Sequence, residues 1–395
     1  MKTTIYLDHA ATTRLHRKAR EAMLPYLDEQ HGNPSGQYAL GRQAAKALED
    51  ARKAVGEVLG CKPAEIVFTG PGTESINAAI KGVALAQQRA GLGNHIVTTT
   101  VEHHAVLHSC EWLERFGFEI AYVPVDSYGI ASPDAVAGAV NERTVLVSVM
   151  LANNEIGTIE PVAEIAAAVR ERAKSLKRRI PVHTDAVQGA NALSLRVDDF
   201  GVDLLSLSAH KFGGPKGAGA LYMRRGTPFL SLMSGGGQER QRRAGTENVA
   251  SIAGTAVALT EAQANREAYT RTCRALTTRL VEGVLQSIPH AELTGHPEMR
   301  LPNNAHFSFE GAESDAMLAA LDKAGIAASA GSACNSATWE PTHVMNAIGM
   351  PLRRAFGVLR FTVGPENTDA EIDRVLAVLP DVVAESRANP RRVNV

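Results

Sequence analysis

The sequence predicts an α/β protein with a mostly parallel sheet, and three observations support this class. From about residue 48 to residue 207, helical stretches alternate with short apolar stretches rich in β-branched residues. The hydrophobic fraction of 45% and the charged fraction of 21% are those of a folded globular protein. The length of 395 residues suggests two or three domains at roughly 150 residues per domain, and we adopt two.

The strands of the predicted sheet are short, apolar and β-branched. Two clear helical patterns, residues 74–89 and 162–177, lie between strands. The predicted strands are residues 65–69, 95–99, 119–123, 144–150, 180–183 and 204–208.

A smaller α+β unit is predicted for the C-terminal part of the chain. An alanine-rich helical region begins near Asn248 and continues past Arg279, and we place the change of domain inside it. Beyond it, the patterns predict strands at 305–309 and 358–363 and helices at 314–324 and 369–378.

Charge and composition exclude several classes of function. A formal net charge of -1 predicts no attraction to nucleic acid or to an anionic membrane, so a small-molecule ligand is favoured. Apolar runs are too short to cross a bilayer and the first ten residues do not form a signal peptide, so we expect a cytoplasmic protein. The four cysteines are scattered without a CxxC pair, which argues against a disulfide framework and a zinc site.

Lys211 stands just after the predicted strand 204–208 and before a glycine-rich loop. Parallel sheets bind ligands at the carboxyl ends of their strands, and a partly desolvated lysine there has a lowered pKa that suits Schiff-base formation. On spacing alone, a solvated loop lysine is the commoner alternative.

Asp185 follows another predicted strand and is flanked by apolar residues. A buried carboxylate needs a cationic partner, which a protonated pyridine nitrogen can supply. The alternative is an Asp that caps the next helix.

The turn from Thr69 to Ser75 joins a strand to a helix and suits a phosphate, although helix capping alone also explains it.

His103 follows the predicted strand 95–99, where its ring could lie over a planar cofactor; taken alone, it is more often a structural histidine. His104 and His108 have an i,i+4 spacing, but no His-Glu-x-x-His is present, so no metal site is predicted.

Cys334 lies in a run of small polar residues, 329–338, which predicts a loop that cannot build a core. An accessible thiol on such a loop can reach a substrate. The other three cysteines are expected to be small buried hydrophobes: Cys61, Cys110 and Cys273.

Taken together, these segments resemble the cysteine desulfurases of the NifS/IscS type, which are fold-type-I pyridoxal phosphate enzymes. The resemblance runs along nearly the whole chain and implies a large domain with a mostly parallel seven-stranded sheet over residues 15–260. The smaller α+β domain is then formed by residues 1–14 and 261–395 and carries the Cys334 loop. The matching motifs are Tyr6-Leu-Asp-His-Ala-Ala-Thr-Thr13, Asn33-Pro-Ser35, Gly72-Thr-Glu-Ser75, Glu102-His103, Asn153-Asn-Glu-Ile-Gly157, His183-Thr-Asp-Ala-Val-Gln188, Ser208-Ala-His-Lys211, Arg243-Ala-Gly-Thr-Glu-Asn248, Gly331-Ser-Ala-Cys334 and Leu359-Arg-Phe-Thr362.

The resemblance also implies how the cofactor pyridoxal 5'-phosphate is held. Lys211 forms the Schiff base, Asp185 pairs with the pyridine nitrogen and Gln188 with the phenolate oxygen, and His103 stacks on the ring. The implied phosphate ligands are Thr73, Ser208 and His210, together with Thr246 from the neighbouring subunit of a homodimer. The turn before Thr73 reads Thr-Gly-Pro-Gly where the family more often has Thr-Ser-Gly-Ala, so its backbone path is expected to differ without loss of binding.

The implied reaction converts L-cysteine to L-alanine and leaves the sulfur on Cys334 as a persulfide. Asn153 and Arg360 match the positions that hold the substrate carboxylate, and His103 is the expected acid or base near the substrate thiol, because an imidazole titrates near neutral pH. The sulfur is expected to pass to an acceptor, such as an iron–sulfur scaffold protein or another thio-cofactor assembly protein. The alternatives are a selenocysteine lyase, a cysteine-sulfinate desulfinase or an aminotransferase of the same fold, and a catalytically idle partner protein.

Overall fold

The computed structural model describes residues 4–331 and 340–388 of the chain. The described strands are β1 (Ile5–Tyr6), β2 (Ile66–Thr69), β3 (His95–Thr99), β4 (Glu119–Val123), β5 (Thr144–Ser148), β6 (Val182–Asp185), β7 (Leu204–Ser208), β8 (Gly219–Met223), β9 (Ala291–Leu293), β10 (Asn304–Phe309), β11 (Ile326–Ala327) and β12 (Val358–Thr362). The described helices are α1 (Arg17–Leu27), α2 (Ala39–Leu59), α3 (Gly72–Arg89), α4 (His104–Glu114), α5 (Pro133–Ala139), α6 (Val162–Ser175), α7 (Val197–Phe200), α8 (Gln238–Gln241), α9 (Val249–Ala264), α10 (Arg266–Ser287), α11 (Ser314–Lys323), α12 (His343–Ala347), α13 (Leu352–Ala355) and α14 (Asp369–Ala388).

A seven-stranded sheet forms the larger part of the fold, with the strand order β2-β8-β7-β6-β5-β3-β4. The α/β class is therefore confirmed, and each of the six predicted strands has a counterpart in this sheet. The seventh strand, β8, runs antiparallel to both of its neighbours, whereas the remaining pairs are parallel. Most of these strands are buried along their whole length because helices cover both faces of the sheet.

A second, antiparallel sheet with the order β12-β10-β9 lies in the C-terminal part of the chain. Its core contains Phe307, Phe309 and Phe361, packed with residues of α10 and α14 and with Leu7 from the N-terminal segment. β1 pairs in parallel with β11, which brings the start of the chain to this second unit.

Two helix predictions differ from the structure in their bounds. The helical region that begins near Asn248 is divided at Asn265 into α9 and α10, and these pack into different cores, that of the large sheet and that of the small one. The helix predicted to end at residue 378 continues through Pro380 to Ala388, because Val382 and Val383 lie in the smaller core. The domain bounds 15–260 and 261–395 stay a prediction.

The helices in the described ranges include none with enough length and apolarity to span a membrane.

Candidate active site

The strands β6 and β7 end side by side and place the predicted lysine and carboxylate at one edge of the large sheet. Asp185, the last residue of β6, pairs with Ser206 of β7. After β7 the chain makes a turn of 3-10 helix that ends at Lys211. The lysine Nζ donates hydrogen bonds to the carbonyl oxygens of Ala10, at 2.6 Å, and Ala11, at 2.8 Å.

Asp185 is a buried carboxyl. Its Oδ1 accepts a hydrogen bond from Val187 N at 2.9 Å. The residues that follow form a turn rather than a helix, so Asp185 is not a helix cap. Burial raises the pKa of Asp185 to about 6, while the bond from Val187 and the charge of Lys211 act in the opposite direction. A cation placed against this carboxyl would stabilise its charged form.

His103 precedes α4 and caps its first turn, since its Nδ1 accepts a hydrogen bond from Ala105 N at 3.0 Å. The neutral ring therefore carries its proton on Nε2. Burial and, to a smaller extent, the charge of Lys211 lower the pKa of His103 to about 4. This differs from the expectation of a ring that titrates near neutral pH: in these surroundings, the imidazole is a neutral donor.

The start of α3 lies against the end of β7 and offers backbone and hydroxyl groups to an anion. Ser208 is buried, and its Oγ accepts a hydrogen bond from Gly72 N at 3.2 Å, so its own hydrogen can be donated to a ligand. A Cβ on Gly72 would lie 2.9 Å from the Ser208 Cβ, which explains why glycine suits this position. Thr73, the next residue, is exposed at the same end of α3. His210 lies in the turn after β7, and its Nδ1 is 3.1 Å from Thr12 Oγ1.

The N-terminal segment 6–13 contacts both parts of this site. Gln188 Nε2 donates to the carbonyl oxygen of Ala10 at 3.1 Å, the same oxygen that Lys211 contacts. Asp8 accepts a hydrogen bond from Arg360 Nη2 at 2.7 Å. The segment thus connects the cofactor-binding candidates of the large sheet to the arginine of β12.

Arg360 is buried, and one of its donors has no partner among the described residues. Its Nη1 donates to the carbonyl oxygens of Asn154 and Gly331, each at 2.7 Å, whereas its buried Nε makes no hydrogen bond to a residue that the structure describes. Asn153, the other predicted ligand, bonds the backbone with its amide: Nδ2 donates to Val101 O at 2.9 Å, and Oδ1 accepts from the two N–H groups at 155 and 156. Of the two predicted carboxylate ligands, Arg360 is the one with a free donor.

The described residues do not test two of the predicted site roles. Thr246 is exposed, and its role was predicted for the site of a neighbouring subunit. Cys334 lies outside the described residues. Both assignments stay predictions, as does the absence of a metal site.

Asp8 and the carbonyl groups of Ala10 and Ala11 contact predicted site residues but were not themselves predicted from the sequence. The same holds for the ring of His183, which is fully buried between Ser148 Oγ at 2.9 Å and Ser206 Oγ at 3.0 Å. Burial lowers the pKa of His183 to about 3, so the ring is neutral. Its two contacts connect β6 to the neighbouring strands β5 and β7. Asp8 is the acidic residue of the N-terminal motif, which could have marked it as a candidate. Its partner Arg360, however, is 352 residues away in the sequence.

The residues present fit pyridoxal phosphate on three counts. A lysine and a buried carboxyl whose pKa is raised by burial lie at adjacent strand ends. The start of α3 provides the polarity that a phosphate prefers, since the backbone N–H groups of a helix point outward at its N-terminus. Gly72 leaves open a space that a Cβ would close, beside the hydroxyl of Ser208.

Comparisons with known proteins agree over nearly the whole chain. The family model described as aminotransferase class-V matches residues 5–375. The protein is 48% identical over 383 residues to the cysteine desulfurase IscS of Methanosarcina thermophila, a match covering 97% of this chain and 93% of the relative. The solved structure of a NifS-like protein has a TM-score of 0.90 at 36% identity and covers 97% of this chain and 100% of its own. That of SspA in complex with cysteine has a TM-score of 0.80 at 32% identity and covers 92% and 100%. The chain therefore belongs to the class-V aminotransferase family and, within it, to the cysteine desulfurases of the NifS and IscS type.

Proposed function

We propose that this protein is a cysteine desulfurase that uses pyridoxal 5'-phosphate to convert L-cysteine to L-alanine and takes up the sulfur on Cys334. The observation that carries the proposal is the joint placement of Lys211 and the buried Asp185 at adjacent strand ends, connected through the N-terminal segment to Arg360. The names of the relatives and the cysteine bound to SspA support the same substrate.

Pyridoxal phosphate, when bound, weakens the Cα–H bond of an amino acid and stores the electron pair that is released. Lys211 would hold the cofactor and then carry the Cα proton on its Nζ. Asp185 would keep a proton on the pyridine nitrogen, because a buried carboxylate favours a cation against it. Gln188 would donate to the phenolate oxygen, and the phosphate would be held by Thr73, Ser208, His210 and the neighbouring subunit's threonine at 246.

Arg360 is the proposed ligand of the substrate carboxylate, since its Nε is a buried donor that has no acceptor in the described part of the chain. Asp8 and the carbonyl oxygens of Asn154 and Gly331 hold the other guanidinium nitrogens in place. Asn153 would support this position mainly through the backbone bonds it makes. His103 would stack over the cofactor ring and donate from Nε2, and its role as an acid or base toward the substrate thiol stays a prediction.

Sulfur leaves the substrate when the Cys334 thiolate attacks the substrate sulfur. A sulfur–sulfur bond forms, the bond between sulfur and Cβ breaks, and its electron pair stays with the carbon skeleton that departs as alanine. The described cysteines do not compete in this role: Cys110 and Cys273 are buried, and burial raises the pKa of the partly buried Cys61 thiol to about 12.

We propose further that the enzyme is a cytoplasmic homodimer that delivers sulfur to an acceptor such as an iron–sulfur scaffold protein. Thr246, predicted to act in the site of a neighbouring subunit, is exposed and thus accessible to one. The three described cysteines form no disulfide, which is typical of a reducing compartment.

The test is the release of alanine and sulfide from L-cysteine with pyridoxal phosphate and a reductant. We expect wild type to release both products, and Lys211→Ala and Cys334→Ala to release neither. If Cys334→Ala retains full activity with cysteine, a selenocysteine lyase or cysteine-sulfinate desulfinase replaces the desulfurase, and turnover of selenocysteine or the sulfinate then identifies which one.

A further inference from the structure

Glu155 is a buried carboxyl that the proposed mechanism does not use. It lies in the loop between β5 and α6 and is 1% exposed. Its neighbours in the sequence, Asn153 and Asn154, contact the site, but the Glu155 side chain points to two other parts of the chain.

The first contact of the Glu155 carboxyl is with Thr342. Oε2 accepts a hydrogen bond from the Thr342 Oγ1 at 2.7 Å, and this threonine caps α12 by accepting from Met345 N at 3.3 Å. The bond is buried on both sides. Glu155 therefore holds the point where the chain enters α12.

The second contact is with Gly331. A Cβ added there would lie 2.8 Å from Glu155 Oε2, so the carboxylate oxygen lies directly against this glycine. The φ of Gly331 is +117°, a conformation that favours glycine. Its carbonyl oxygen is held by Arg360 at 2.7 Å.

One carboxylate oxygen thus contacts the chain on both sides of the segment 332–339. Cys334 is three residues beyond Gly331 and eight before Thr342. Two described residues on either side of this segment therefore meet a single side chain: Thr342 through a hydrogen bond and Gly331 through close packing. Burial raises the pKa of Glu155 to about 7, while the Thr342 hydrogen bond and the charge of Arg360 act in the opposite direction.

We propose that Glu155 is a positioning residue for sulfur transfer, whose carboxyl fixes the two ends of the segment that carries Cys334. This inference rests on the proposed function, because it concerns the step that Cys334 performs. A small misplacement of a reacting group can cost about 100-fold in rate, so loss of the two contacts should slow this step selectively.

The test separates two events in the enzyme loaded with pyridoxal phosphate. The absorbance change of the cofactor on addition of L-cysteine reports the steps before Cys334 acts, and single-turnover mass spectrometry reports sulfur on Cys334. The breaking variants are Glu155→Met and Thr342→Val. The controls are Thr342→Ser, which keeps the hydroxyl, and Glu160→Met, which removes another buried glutamate that accepts from Ala131 N at 2.9 Å.

We expect both breaking variants to slow the appearance of sulfur on Cys334 at least about tenfold, with the absorbance change kept within about twofold. Both controls should stay within about threefold of wild type in sulfur transfer. In the protein without cofactor, amide hydrogen exchange at the start of α12 should be faster in Thr342→Val than in Thr342→Ser. If Glu155→Met does not fold, Thr342→Val carries the test.

Unchanged sulfur transfer in the breaking variants, or an equal loss in both measured events, overturns the inference and leaves the proposed function standing. Failure of wild type to place sulfur on Cys334 instead removes the proposed function, and the inference falls with it.

Discussion

At the scale of single residues, the charges of the site depend on one another. The cation of Lys211 lowers the pKa of both His103 and Asp185, while burial works against the charged form of each. His103 is therefore neutral, and Asp185 has a pKa near 6 in the protein alone. A protonated pyridine nitrogen beside Asp185 would provide a positive charge that stabilises the ionised carboxylate against the cost of burial.

Asp185→Asn tests this charge balance. The amide keeps the shape and the hydrogen bond from Val187 but cannot hold a proton on the pyridine nitrogen as a carboxylate does. We expect cofactor attachment to Lys211 to persist while kcat falls at least about 100-fold, the typical cost of removing one preorganised electrostatic group. The measurements are the absorbance of bound cofactor and steady-state alanine release; a kcat within threefold of wild type contradicts the assignment.

Residue-scale prediction from the sequence reached Lys211 and Asp185 because each follows an apolar strand, where parallel sheets expose their ligand-binding edge. It did not reach the protonation state of His103, which depends on burial and on the nearby Lys211. Nor did it pair Asp8 with Arg360, because residues 352 apart are brought together only by tertiary structure.

At the scale of elements, the N-terminal segment 6–13 is the connection between the two sheets. Ala10 contributes its carbonyl oxygen to Lys211 and its N–H to the Oγ1 of Thr362 in β12 at 2.9 Å. Tyr6 Oη donates to the carbonyl oxygens of Asp8 and Thr12, which keeps the segment folded on itself. A substitution in β12 that breaks the bond to Ala10 should therefore also disturb the position of Lys211, the proposed cofactor lysine.

Thr362→Val tests this connection. It replaces a fully buried hydroxyl by a methyl group and leaves Ala10 N without its partner, which should lower the free energy of unfolding by about 1–3 kcal/mol. We also expect weaker retention of pyridoxal phosphate in dialysis.

The matched control is Thr277→Val, since the hydroxyl of Thr277 in α10 is buried and makes no hydrogen bond within residues 4–331 and 340–388. This variant should unfold at or above the wild-type denaturant midpoint. If the two variants have the same free energy of unfolding and the same retention of pyridoxal phosphate, the segment 6–13 does not connect β12 to the cofactor lysine.

The bounds of β3 and β7 agree with the prediction because both segments are apolar and rich in β-branched or aliphatic residues. The predicted bounds are less accurate where tertiary packing determines whether a segment is a strand or how far a helix extends. β8 was not predicted as a strand because Gly219 and Ala220 carry little strand preference; its flanking strands β2 and β7 hold it in place. Proline at 380 signals a helix end, but burial of Val382 and Val383 outweighs the lost N–H.

At the scale of the whole molecule, several buried carboxyl groups make stability depend on pH. Burial raises the pKa of Glu160 to about 8, although a bond from Ala131 N opposes the shift. The folded protein therefore retains a proton on Glu160 over a pH range in which the unfolded chain has lost it. The contribution of Glu160 to the free energy of unfolding consequently falls as pH rises from about 4.5 to about 8.

Glu160→Gln removes this contribution, since the neutral amide can still accept from Ala131 N. We expect the free energy of unfolding to fall less between pH 5 and pH 8 than in wild type, by at least about 1.4 kcal/mol, the value of one pKa unit. Urea unfolding at a series of pH values measures this difference in the free energy of unfolding. The control is Glu164→Gln, because Glu164 is exposed. A variant whose curve runs parallel to wild type contradicts the proposed burial effect.

The central claim is that sulfur from L-cysteine reaches Cys334, and a single-turnover experiment tests it most directly. The enzyme loaded with pyridoxal phosphate is mixed with one equivalent of L-cysteine, quenched, and the peptide that contains Cys334 is analysed by mass spectrometry. We predict the added mass of one sulfur atom on Cys334, together with one equivalent of alanine, and neither product in Lys211→Ala. Alanine formed without sulfur on Cys334, or with sulfur on Cys61 instead, would contradict the account.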